Sequence, residues 1–305
     1  MLSIFSRTSA PTSATSPLVT GFYEQITGSV QYVVADPETK RCAIVDPVLD
    51  FEQKSGSIAT HSADALLMHV ERSGYRLEWV LDTHPHADHL SAAAYLKHKT
   101  GVPMGIGEKV VEVQRIWKEI YNLPDLPADG SQWDKLFADG EQFRIGNCPV
   151  KVMLSPGHTL ASITYTVGDA AFIHDTLFMP DSGTARADFP GGDARTLWRS
   201  IQRILALPGA TRLFTGHDYR PDGREAAWES TVAQQKAANI HLREAATEEE
   251  FVALREERDK TLPMPNMILM ALQVNICGGR LPEPESNGRR YLKVPIDALP
   301  GAVWE

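Results

Sequence analysis

Thr83-His84-Pro85-His86-Ala87-Asp88-His89 is the stretch on which the reading of this chain turns. Three imidazoles and a carboxylate within six residues cannot share one face of a helix or a strand. The segment Arg76 to Leu81 immediately before it reads as a short strand. A tight loop leaving that strand would aim all four side chains at one point, and binding a metal ion is the usual reason to gather such donors.

Three later residues extend the pattern. His158 lies in Ser155-Pro156-Gly157-His158-Thr159, Asp175 in Phe172-Ile173-His174-Asp175-Thr176, and His217 in Phe214-Thr215-Gly216-His217-Asp218. Each follows an apolar, β-branched run, so each is expected on a loop at a strand end. A lone histidine there would be unremarkable; the chain order of the whole set is what points to a metal centre.

Around these residues strands and helices alternate. Val30 to Val34 and Cys42 to Val45 read as strands joined by the polar turn Asp36-Pro37-Glu38-Thr39, and Leu66, Leu67 and Val70 give residues 63–73 helical spacing. A helix is expected over 91–96, a strand over Val102 to Ile106 and a helix over Val110 to Ile120. Asn122 to Trp133 reads as a loop. Strands are expected at Phe143 to Leu154, Ile163 to Val167, Ala171 to His174 and Leu213-Phe214, with a helix over 194–207 between the last two. From about 225 the chain reads as mostly helical up to Pro282, then polar and extended. Residues 1–18, rich in Ser, Thr, Ala and Pro, are expected to be a flexible terminus, with one domain from 19 to 305. This order predicts a layered α/β architecture with the site at strand ends.

Composition narrows the function classes. The 305 residues are 43% hydrophobic and 23% charged with a formal charge of −9, and no basic cluster suited to phosphate stands out. Nucleic acid is therefore not expected as a partner. No apolar run reaches the roughly 20 residues of a membrane span, so no membrane association is expected either. Three scattered cysteines suggest a reducing compartment, and hence a cytoplasmic location. Cys277, beside Val274 and Ile276, reads as a buried thiol, although a reactive one near the site is the alternative.

The seven-residue set resembles that of the metallo-β-lactamase superfamily over about residues 19–220. The resemblance implies an α/β fold of αβ/βα sandwich type, two mixed β-sheets flanked by helices with metal at their shared edge. On the superfamily's usual pattern His84, His86 and His158 would hold one metal, Asp88, His89 and His217 a second, and Asp175 would bridge. All seven positions are filled, so the motif alone is compatible with one metal or two, and with zinc or iron.

Further segments resemble the persulfide dioxygenases, in their longer bacterial type. These are Gly183-Thr184-Ala185-Arg186-Ala187-Asp188-Phe189-Pro190-Gly191-Gly192, Gly216-His217-Asp218-Tyr219 with Gly223-Arg224, Gln235-Lys236-Ala237 with Asn239, and Leu272-Gln273-Val274-Asn275-Ile276 with Gly279-Arg280-Leu281-Pro282. That resemblance implies oxidation of glutathione persulfide by O2 and water to sulfite and glutathione. It implies one Fe(II) per subunit on His84, His158 and Asp175, with His86, Asp88, His89 and His217 around them as orienting groups. It also implies a homodimer, for which the pattern marks no interface. Arg186, Tyr219, Arg224, Lys236 and Asn239 become candidates for binding glutathione, and Tyr219 for acting on the bound sulfur or oxygen. The competing enzyme class is a dizinc thioesterase of glyoxalase II type; a non-catalytic sulfur sensor is a third reading, without an appended DNA-binding motif to support it.

Overall fold

A computed structural model of the chain describes residues 5–244 and 247–299. Two mixed sheets face each other. The first runs, in spatial order, Phe5–Ser9, Leu18–Tyr23, Val30–Ala35, Arg41–Val45, Arg76–Leu81, Met104–Gly107, Lys135–Phe137, and its last three pairings are parallel. The second runs Gln142–Ile145, Cys148–Leu154, Ile163–Val167, Ala170–His174, Arg212–Thr215, Glu229–Thr231, with one parallel pairing between Ala170–His174 and Arg212–Thr215. A small three-stranded sheet of Ser57–Ala59, Val48–Glu52 and Leu90–Ser91 sits beside them.

The sequence forms these layers because its central strands are apolar on both faces. In Val30–Ala35, Val30, Tyr32 and Val34 point between the sheets and meet Tyr165, Phe172 and Phe214. Val33 and Ala35 point outward to the helices His61–Arg72, Ala93–Thr100, Val110–Ile120 and Ile268–Asn275. Ala170–His174 repeats the alternation: Ala170 and Phe172 face inward, while Ala171 and Ile173 meet the helices Ala194–Leu205 and Glu248–Asp259. A one-residue slip in either strand would exchange these faces, so the register is strongly specified. Ala194–Leu205 starts where Asp193 accepts from the Thr196 amide at 2.7 Å, and Leu197, Ile201, Ile204 and Leu205 form its buried stripe.

Three expectations need correction. Phe5–Ser9, expected within a flexible terminus, is an edge strand antiparallel to Leu18–Tyr23. Its partners are ladder hydrogen bonds and the Arg212 guanidinium, which donates to Ser9 Oγ (2.9 Å) and the Pro17 carbonyl (3.0 Å) while gripping Asp169; Ser- and Thr-rich composition does not encode such pairing. The single strand expected over Phe143 to Leu154 is a hairpin, Gln142–Ile145 and Cys148–Leu154, turning at Gly146 with φ +56°. Glu229–Thr231 is a strand within the region expected to be mostly helical. Residues 122–133 form a loop as expected, and 282–299 carry no helix or strand. Among the described residues, no helix is long and apolar enough to cross a membrane.

At one edge the loops leaving both sheets are tied together. The Val30 amide donates to the Gly216 carbonyl (2.8 Å), Asp218 to Gly28 (3.0 Å) and Ile163 to Thr83 (3.0 Å). The hydroxyls of Tyr32 and Tyr165 reach the carbonyls of Thr215 and Asp82. This edge collects every residue of the metal motif.

Gly157, the residue before His158, docks against the start of Ala194–Leu205. Its φ is +128°, and a Cβ there would stand 2.3 Å from the backbone N and Cα of Leu197. Gly157→Ala is expected to lower unfolding stability by about 3 kcal/mol, measured by urea titration. Gly209→Ala, whose Cβ meets only Ala233 Cβ at 3.7 Å, is expected to change it by no more than about 0.5 kcal/mol. Equal effects would contradict the assigned packing.

Candidate metal centre

The loop is shaped from its first residue. Asp46, at φ +51° just beyond Arg41–Val45, accepts from the Thr83 amide (2.7 Å) and the Thr83 hydroxyl (2.8 Å), and its Oδ1 stands 3.1 Å from His86 Nε2. Because the Thr83 hydroxyl donates to Asp46, it accepts from His84 Nδ1–H at 3.1 Å. His84 Nε2 is then left with its lone pair, buried and without a partner. His158 reaches the same state from another loop: Nδ1–H donates to the Arg186 carbonyl at 2.9 Å, so its Nε2 also carries a lone pair.

Asp175 is aimed by backbone distortion. The ladder shifts register between Phe172 and His174, and His174 holds φ +42°, with Nε2 near the hydroxyls of Ser155 (3.0 Å) and Thr176 (2.9 Å). Gly216 leaves the room Asp175 needs: a Cβ there would lie 2.4 Å from Asp175 Oδ1. Asp175 Oδ2 stands 3.7 Å from His84 Nε2, 3.8 Å from His158 Nε2 and 3.4 Å from His217 Nε2.

The seven donors divide into two groups, each with ligand atoms within 4.8 Å of one another: His84, His158 and Asp175, and His86, Asp88, His89 and His217. Three members of the quartet already stand against one another, and the fourth, His86, faces Asp46. Asp88 Oδ2 lies 3.0 Å from His89 Nδ1, 3.2 Å from His217 Nε2 and 3.0 Å from Ser29 Oγ. His86 groups with Asp88, His89 and His217 in this arrangement, while its ring also lies beside that of His84, centroids 4.1 Å apart.

Electrostatics separates the groups further. Burial drives His84 well below the usual imidazole value, and His86, His174 and His158 push it the same way; burial also lowers His158. Burial opposes the charged form of His86 and His217, but carboxylates prevail: Asp46 chiefly lifts His86 to about 9, and Asp175 with Asp88 lifts His217 to about 10. Burial likewise works against the Asp88 carboxylate, yet His217 and His89 hold its pKa well below the ordinary range. Buried atoms without hydrogen-bond partners are His84 Nε2, His89 Nε2 and Asp175 Oδ1 among others. Buried groups of this kind carry a free-energy penalty that a cation removes, so the residues fit a metal ion.

A pocket of about 640 Å³ opens above the centre, with Asp88, His158 and Asp175 at its floor. Arg186 and Tyr219 stand in its wall, but the other three candidates are not among its lining residues. Arg186 spends its guanidinium on Asp188 (2.7 and 2.8 Å) and the Pro263 carbonyl (2.6 Å), lying 4.9 Å above the Phe189 ring. Tyr219 stacks on His217, ring centroids 5.7 Å apart, and stays 61% exposed on the rim. Arg224 clamps Asp181 and Asp218 with four charge-assisted bonds, Asn239 is buried holding the Gly183 carbonyl (3.0 Å) and Gln235 (2.8 Å), and Lys236 is exposed on its helix. Arg224 and Asn239 thus hold the loops around the site together. Burial lifts the half-buried Cys277 thiol to about 11.

Sequence reading missed Asp46 and Ser29, which carry no motif of their own, and the pocket wall formed by Leu262, Pro263, Met264, Pro265, Asn266 and Met267. The two prolines spaced around Met264 were the only local sign of a fixed, non-helical segment there.

A family model described as "Metallo-beta-lactamase superfamily" matches residues 27–217. The chain is 67% identical over 289 residues to a "Beta-lactamase hydrolase-like protein" of Xylella fastidiosa (strain Temecula1), covering 95% of this chain and 67% of that protein. It is 28% identical to "Persulfide dioxygenase ETHE1, mitochondrial" of Homo sapiens, covering 87% of this chain and 90% of that one. Among solved structures, ETHE1 from Myxococcus xanthus superposes with a TM-score of 0.68 at 27% identity, covering 85% of this chain and 98% of that one. The two facing mixed sheets, the helices on both outer faces and the filled metal motif at their edge agree with this match: the chain belongs to the metallo-beta-lactamase superfamily.

Proposed function

We propose that this chain is a persulfide dioxygenase that uses one Fe(II) on His84, His158 and Asp175 to oxidise glutathione persulfide with O2 and water, giving sulfite and glutathione. One observation carries the reading: the donors divide three and four, and the group of three is two imidazoles and one carboxylate beneath the pocket, while in the other group Asp88 stands against His89 and His217 and His86 faces Asp46. A two-histidine, one-carboxylate face is the ligand set of non-haem Fe(II) oxygenases. The similarity to proteins named ETHE1, one of them a persulfide dioxygenase, supports the same reading.

Fe(II) at this site would supply one-electron redox chemistry and coordination positions open toward the pocket for sulfur and O2. His84 and His158 present neutral Nε2 atoms without prior loss of a proton, and Asp175 supplies the single compensating anion. Phe178 and Phe189 give the pocket apolar walls that exclude water and bear the carrier thiol. Tyr219, on the rim, offers a hydroxyl to donate to the anionic substrate. In the overall change the outer sulfur loses four electrons to O2, the S–S bond breaks, and water supplies the third oxygen of sulfite. The free thiols Cys42, Cys148 and Cys277 support placing this reaction in a reducing compartment, the cytoplasm.

A second reading rests on the quartet itself. His86, Asp88, His89 and His217 would hold a second ion, and zinc at both positions would supply activation of water for hydrolysis of a glutathione thioester. The name of the Xylella fastidiosa relative points the same way.

Protein expressed with ferrous salt and purified anaerobically is expected to hold roughly one iron per chain by elemental analysis. His84→Ala, His158→Ala and Asp175→Ala should each reduce that to about a tenth or less, while His217→Ala retains it. Iron kept by all three would refute the ligand assignment. With glutathione persulfide, an oxygen electrode is expected to record O2 uptake in step with sulfite. Stoichiometric zinc, hydrolysis of S-lactoylglutathione and no O2 uptake would select the hydrolase instead. Tyr219→Phe should keep its iron and lower kcat about a hundredfold; an unchanged kcat removes its hydroxyl from the chemistry.

A further inference from the structure

The helix Ile268–Asn275 lies beyond the 27–217 match, yet both of its ends enter the metal site. At its start Asn266 and Met267 line the pocket. At its last residue the Asn275 side chain, 2% exposed, reaches into the metal-binding loop. Its Nδ2 donates to the His86 carbonyl at 2.8 Å and to the His89 carbonyl at 2.7 Å, and its Oδ1 accepts from the Ser91 amide at 2.7 Å. One planar group thus ties three backbone points of the segment His86 to Ser91, which carries three of the seven donors.

We propose that Asn275 is a positioning residue for the metal centre, setting His86, Asp88 and His89 by strapping the loop backbone to the C-terminal helix. The chemistry needs a carboxamide of this length. A nitrogen with two hydrogens serves two carbonyls while the oxygen of the same group takes the amide. Aspartate keeps the acceptor and loses both donors, and alanine leaves three buried backbone groups unmet. The chain is shaped to allow the approach: Gly279, at φ +78°, lies so close that a Cβ would stand 2.5 Å from the Ser91 carbonyl oxygen. Gln114 Nε2 holds the carbonyl of Ile276, the residue after the helix, at 2.8 Å. Outer partners of this kind control ligand direction, and hence metal affinity, without touching the ion.

This role holds whether iron or zinc occupies the centre, so its failure would leave the proposed reaction standing, and the reverse. The test titrates Co(II) alone, anaerobically, into the full apo chain and follows the visible ligand-field absorption, with circular dichroism as the check on folding. Asn275→Asp and Asn275→Ala are expected to lower Co(II) affinity about 10- to 100-fold and to alter the absorption bands. Gln273→Ala is the comparison. Gln273 is similarly buried on the same helix, but it bonds Leu269 and Lys293 and does not touch the loop; its removal should leave affinity within about threefold and the bands unchanged. A folded Asn275→Asp variant with wild-type affinity and bands would overturn the proposal, as would an equal loss in Gln273→Ala. The unmodified chain gives an independent reading by hydrogen exchange. Coupling is reciprocal, so Co(II) should slow exchange of the Ser91 amide about tenfold or more. No slowing there would overturn the proposal even if every Asn275 variant failed to fold.

Discussion

Five imidazoles and two carboxylates meet where the two sheets share an edge, several of their polar atoms buried without a hydrogen-bond partner. Such a cluster is unfavourable unless a cation completes it. Much of the surrounding structure lowers that cost or directs the donors. Asp46 holds Thr83, and Thr83 in turn fixes the His84 ring. The Arg186 carbonyl fixes His158, and the bulge at His174 with the side-chain-free Gly216 lets Asp175 approach. The sandwich contributes rigidity: donors on loops become precise because inter-sheet hydrogen bonds tie those loops at the same edge.

The donors are not equivalent. His84 and His158 have spent their Nδ1 hydrogens on neutral acceptors, so their Nε2 atoms stand ready for a metal. His86 and His217 stand beside Asp46, Asp88 and Asp175, which favour their charged forms. One motif therefore contains a ready triad and three further imidazoles already set against carboxylates. That asymmetry is the reason for proposing a mononuclear site here.

The metal donors were legible because His-x-His-x-Asp-His is dense in ligand types and because each later donor follows an apolar strand. The layered fold was legible from strands such as Val30–Ala35, in which every residue but Gln31 is apolar or aromatic, a signal of burial on both faces. The hairpin at Gly146 was not, since apolar residues continue on both sides of one glycine. The edge strand Phe5–Ser9 was hidden because its partners are backbone groups and a distant arginine. Arg224 and Asn239 were named through segments that resemble the persulfide dioxygenases, and such segments do not reveal that Asp181, Asp218 and Gly183 engage them. Asp46 and Asn275 act through three-dimensional contacts with a loop distant in sequence, and local spacing carries no trace of that.

As proposed, the triad is the iron site and the quartet its frame. Anomalous diffraction at the iron and zinc edges, on crystals of anaerobically purified protein offered both metals, tests this most directly. A single iron peak is expected among His84 Nε2, His158 Nε2 and Asp175, with no second ion between Asp88, His89 and His217. Two peaks bridged by Asp175, with His86 turned from Asp46 to join His84 and His158, would contradict it.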